Sequence, residues 1–68
     1  MDYVMSAGNL VMIKRDAIGV PAGTLALCLK RDKKRSKFAH HEIWTVQLMN
    51  GKLRGHERHY LEIDLEVL

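Results

Sequence analysis

Six cations crowd into eight positions: Lys30, Arg31, Lys33, Lys34, Arg35 and Lys37, offset only by Asp32. Clustered lysines and arginines neutralise phosphates and release their counterions, so such a run points first to a nucleic-acid backbone. Phe38 follows directly, a ring placed to stack on a base or to enter a protein pocket. Farther along, Lys52, Arg54, His56 and Arg58 recur at every second residue. On a strand that period sends all four to one face, about 6.5–7 Å apart, close to the spacing of successive phosphates on a stretched single strand. After them the sign reverses: Glu57, Glu62, Asp64 and Glu66 stand against Arg58 alone.

Other chemistry is weakly represented. There is no Ser/His/Asp or Cys/His arrangement, no glycine-rich phosphate loop and no pair of acids set apart for acid–base work. Glu62, Asp64 and Glu66 share a face, but strand alternation alone produces that. His40-His41 and His56/His59 invite a metal hypothesis, yet no cysteine partner and no zinc-type spacing accompanies them. Cys28 is the single cysteine, so an intrachain disulfide is excluded, and within Leu27-Cys28-Leu29 it reads as a small buried hydrophobe. The expectation is a non-enzymatic protein with no cofactor and no metal.

The chain has 68 residues, 47% of them hydrophobic, and a net charge of +3. That length supports one domain, residues 1–68, with one small core. Its longest apolar runs, Leu10 to Ile13 and Leu25 to Leu29, are too short to cross a membrane, and Met1-Asp2-Tyr3 lacks a secretory start. A cytoplasmic location is expected.

The elements that must position the cations are strands. Leu61, Ile63, Leu65 and Val67 alternate with Glu62, Asp64 and Glu66; Trp44, Val46 and Leu48 alternate with Ile43, Thr45 and Gln47. Turn chemistry separates such runs: Gly8-Asn9, a turn in which Pro21 takes the second place and Gly23 the fourth, and above all Asn50-Gly51, the dipeptide of a two-residue type I′ hairpin. The strands expected are Leu10–Lys14, Thr24–Arg31, Glu42–Met49, Lys52–His56 and Leu61–Val67. Lys33 to His41 reads as an irregular exposed loop, and Arg58-His59-Tyr60 as a bend or single helical turn. No segment has a helical period.

A two-residue loop at Asn50-Gly51 pairs Met49 with Lys52, Leu48 with Leu53, Val46 with Gly55 and Ile43 with Arg58. Trp44 then faces inward, Gly55 makes room for it or for a close backbone crossing, and His59 opposes Glu42. Five short strands with one apolar face resolve their open edges by curling into a small barrel.

This order of strands, with a long Gly/Pro-bearing first loop, a polar second loop and a tight Asn50-Gly51 turn, resembles the SH3-like small barrel. The segments Gly8-Asn9-Leu10-Val11-Met12-Ile13 and Gly23-Thr24-Leu25-Ala26-Leu27-Cys28 are similar to KOW-type barrels of ribosomal and transcription-associated proteins. The compact layout is also similar to small SH3-like proteins of tailed bacteriophages. The resemblance implies an all-β, five-stranded barrel with one short helical turn before the last strand.

Two functional expectations remain open. One is sequence-tolerant nucleic-acid contact through Lys33, Lys34, Arg35, Lys37, Phe38, Lys52, Arg54 and Arg58. The other is a protein-interaction or assembly part that self-associates or binds a protein partner. Its surface would come from the acidic final strand and from apolar residues outside the barrel pattern, Met1, Val4 and Met5 with outward Leu10, Met12 and Ile43, which either cover one end of the barrel or form a self-association patch.

Overall fold

The computed structural model describes residues 5–37 and 42–68. It is all-β: β1 (Leu10–Ile13), β2 (Leu25–Arg31), a one-turn helix α1 (Lys33–Ser36), β3 (Ile43–Leu48), β4 (Glu57–Leu61), a 3-10 turn (Glu62–Asp64) and β5 (Leu65–Val67). Every pairing is antiparallel, and the sheet order is β4-β3-β2-β1-β5.

That order forces curvature. β4 and β5 are the two edges of a five-stranded sheet, about 19 Å apart if the sheet were flat. Yet only the three residues of the 3-10 turn separate them in sequence, and four residue steps reach about 14 Å at full extension. The edges must therefore approach. The turn is pinned on both sides: the Glu62 N–H donates to the Glu42 carbonyl at 2.8 Å, and the Lys14 N–H donates to the Asp64 carbonyl at 2.8 Å. The arrangement is consistent with an SH3-like barrel, with the short helical turn just before the last strand.

The concave side is the core. Val11, Ile13, Ala26, Cys28, Val46 and Leu48 are essentially fully buried, and Trp44, Leu65, Met5 and Val20 complete the cluster. Alternation explains which residues enter: in β1 Val11 and Ile13 point in, and in β2 Ala26 and Cys28 do. Each large aliphatic side chain so buried contributes about 1.5–3 kcal/mol.

The β3–β4 hairpin differs from the sequence expectation. Observed pairs are Ile43 with Leu61, Trp44 with Tyr60, Thr45 with His59, Val46 with Arg58 and Gln47 with Glu57. Residues 49–56 form a longer connection, so Lys52–His56 is a turn segment and not a strand. Among the described residues only glycines have positive φ, so Asn50 does not take the type I′ conformation. Its Oδ1 instead accepts the Leu25 N–H at 3.0 Å, tying the connection to β2.

Burial explains the outcome. The two-residue loop would set Glu57 opposite Trp44 on the core face, a burial that costs more than any turn preference returns. The observed register puts Tyr60 there and lets Leu53 and Tyr60 pack against the core. Gly55 lies exposed in the turn segment with φ +91°, making no room for Trp44. Arg58-His59-Tyr60 is strand, not bend, and the expected final strand is broken by the 3-10 turn at Glu62–Asp64.

Two smaller differences come from local capping and turn chemistry. Part of the expected irregular loop is α1, started by Asp32, whose Oδ1 accepts the Arg35 N–H at 3.0 Å. The Pro21 turn sits one residue later: the Thr24 N–H donates to the Pro21 carbonyl at 3.1 Å, which puts Gly23 third, with φ +95°. A positive φ at that place is what a type II turn requires.

Candidate nucleic-acid interface

The basic end of β2 is shaped by an irregularity that residue alternation does not announce. The β2–β3 register shifts between Cys28 and Lys30: Cys28 pairs with Val46, but Lys30 pairs with Thr45 and Arg31 with Trp44. Leu29 is the extra residue of a bulge, and a bulge re-aims the side chains beyond it. Lys30 thereby joins Thr45 and His59 in one cross-strand row on the convex side, while Arg31 shares the row of Trp44 and Tyr60.

Around the first row lies a depression of about 460 Å³, lined by Lys30, Arg31, Lys33, Lys34, His59 and Thr45, with Asp32 and Glu57. α1 sits beside it and carries Lys33 and Lys34, both exposed. Not all the cations are available. Arg35 Nε is 2.9 Å from Asp32 Oδ2, and Arg31 Nε is 3.6 Å from Glu42 Oε2. Lys30, Lys33, Lys34 and Lys37 form no ion pair among the described residues. The Arg35 N–H, and then the Arg35 guanidinium, hold the Asp32 carboxyl below the usual carboxylate range, against the opposing effect of burial.

Thr45 is buried, and its hydroxyl shares a 3.1 Å hydrogen bond with His59 Nδ1. Asp32 Oδ2 approaches the same nitrogen at 3.7 Å. A nucleophile relay needs the hydroxyl on one imidazole nitrogen and the carboxylate on the other. Here both meet Nδ1, so the trio fastens α1 to the sheet and is not arranged for that relay. His59 opposes Thr45 and not Glu42, and His40 and His41 lie outside the described residues.

A second cavity of about 660 Å³ adjoins the depression and shares Lys30, Arg31 and Lys33 with it. Met5, Ala7, Leu29 and Trp44 give it apolar walls, and Glu42 and Glu62 supply carboxylates. Trp44 is 6% exposed, and its buried indole N–H has no acceptor among the described residues.

The structure sorts the expected site residues into three groups. Lys33 and Lys34 line the depression, Lys37 lies in a neighbouring hollow with Arg31 and Ser36, and Arg35 is held by Asp32. Lys52 and Arg54 are exposed in the turn segment, and Arg58 is on β4 opposite Val46. The arm of Arg58 is half-buried, and its Nη1 donates to the Glu57 carbonyl at 2.9 Å, so Lys52, Arg54, His56 and Arg58 do not form one outward row. Phe38 lies outside the described residues. Lys30 belongs to the basic run read from the sequence, but His59 and Thr45 beside it were missed as site residues, because the bulge that gathers the three leaves no mark in the sequence.

Cys28 is buried as expected, and burial, then the nearby Glu62 charge, pushes its thiol up. That is the reverse of what a reactive thiolate needs. Comparison with protein family models, curated proteins and solved structures yields no match. The likeness to KOW-type and phage barrels gains no support from it.

Proposed function

We propose that this protein is a small binding module that contacts nucleic-acid backbones without sequence preference. The observation supporting the reading is the set of four lysines, Lys30, Lys33, Lys34 and Lys37, that lack an ion-pair partner among the described residues. Lys30, Lys33 and Lys34 line one open depression. Their ammonium groups would replace condensed counterions along a phosphate chain. Arg35 and Arg58 contribute less, one paired with Asp32 and the other turned onto a carbonyl.

Fluorescence anisotropy with labelled oligonucleotides at two salt concentrations tests this. Four phosphate contacts to a single strand predict that log affinity falls against log salt with a slope of about −3. Neutralising Lys33 and Lys34 together should flatten the slope by about 1–1.5. Absence of binding at about 50 mM salt, or binding indifferent to salt, would reject the reading.

A second reading, an assembly part, is supported by the other end of the convex face. Leu10 and Leu68 are exposed there, and Met12, Leu25 and Leu27 are half-buried beside them. The occupant this reading names is a second copy of the chain.

A further inference from the structure

We infer that the cavity beside Trp44 is a pocket for one unstacked nucleobase, which makes single-stranded nucleic acid the ligand of the adjoining lysines. The inference rests on the nucleic-acid reading and goes beyond it, because lysines alone do not distinguish a single strand from a duplex.

Two neighbouring hollows match the two halves of a nucleotide. A nucleotide is amphiphilic: its base has apolar faces and a polar edge, and its phosphate is an anion. The hollows divide in the same way. The larger, about 660 Å³, has Met5, Ala7, Leu29 and Trp44 as walls, and the other, about 460 Å³, is dominated by Lys30, Arg31, Lys33 and Lys34. Both include Lys30, Arg31 and Lys33, so the cations stand on the ridge between them. A base in the first would leave its own phosphate over that ridge.

The polar groups of the larger cavity also suit a base edge. Glu42 and Glu62 are acceptors for the exocyclic amines of adenine, cytosine or guanine. A purely anionic small ligand fits less well, because the two carboxylates would repel it. A volume of about 660 Å³ is within the usual range for small-molecule sites and leaves room for a base with its sugar. A duplex cannot supply a free base at no cost, since unstacking and unpairing must come first.

Trp44 is the only tryptophan, so its emission reports on the pocket. The experiment titrates the protein with a single-stranded DNA of mixed sequence and with its duplex, reading anisotropy and tryptophan emission together. Expected is at least about tenfold tighter binding of the single strand, with a saturable change in emission that the duplex does not produce. Ala7→Leu, at an exposed wall position, should fill the cavity and remove both the preference and the emission change. Because the lysines are untouched, the remaining binding should keep its salt slope. Equal, salt-dependent binding of both forms with unchanged emission would overturn the base pocket and leave the lysine contact standing. Retention of the single-strand preference in Ala7→Leu would also overturn the pocket. No binding of either form at about 50 mM salt would overturn both.

Discussion

Asp32 links local structure and function in this protein. Its carboxylate caps α1 through the Arg35 N–H and pairs with the Arg35 guanidinium, so it both orders the basic turn and withholds one of its cations. Asparagine caps a helix about as well as aspartate does. Asp32→Asn should therefore fold normally at neutral pH, release Arg35, and steepen the salt slope of nucleic-acid binding by about one unit or less. The same substitution has a second signature. The folded carboxyl titrates below its ordinary value of 3.8, so the charged form stabilises the fold above that pH, and the contribution is lost as pH falls through the folded value. Thermal melts between neutral pH and about pH 3 should show an acid-driven loss in the parent that is smaller in Asp32→Asn. Identical acid limbs would remove Asp32 from its capping role.

Among the elements, the β3–β4 connection shows how local signals yield to burial. Asn50-Gly51 is the strongest short hairpin dipeptide, and a strict two-residue turn would make Asn50 easy to replace by glycine. In the structure Asn50 holds β2 through the Leu25 N–H, and Gly51, with φ +84°, supplies the left-handed residue. Asn50→Gly should consequently destabilise the protein by about 1–2 kcal/mol in denaturant titration. An unchanged midpoint would favour the two-residue hairpin. The bulge at Leu29 acts at the same level: one extra residue places Lys30 beside Thr45 and His59 and Arg31 beside Trp44. Without it the two cations would exchange faces, and neither hollow would have its present lining.

Across the whole molecule the convex face has two halves. Over β1 and the first part of β2 it is largely apolar, with Leu10, Met12, Leu25, Leu27 and the adjoining Leu68, bordered by Glu66 of β5; over β3 and β4 it presents Gln47, Glu57 and His59. If the apolar half covers a second copy, light scattering should show a mass that rises with concentration. Leu10→Lys should then raise the dissociation constant about tenfold or more. Leu10 is 42% exposed, so the substitution spares the core. A monomer at every concentration would reject the assembly reading while leaving the lysine cluster unaffected.

Residue type and period two were enough to establish an all-β chain, the inward side of β1 and β3, the burial of Cys28 and Trp44, and the basic run at the end of β2. Those features are local: each depends only on which residues repel water and how a strand alternates. The pairing of β3 with β4, the bulge and the closure of β4 toward β5 were decided by packing between distant segments, whereas α1 was decided locally by the Asp32 cap. Keeping Glu57 out of the core, seating Tyr60 opposite Trp44 and joining two sheet edges through three residues are competitions between alternatives that short-range propensity scores almost equally. The grouping of Lys30, Lys33 and Lys34 around His59, next to a cavity walled by Trp44, comes from that second set of causes.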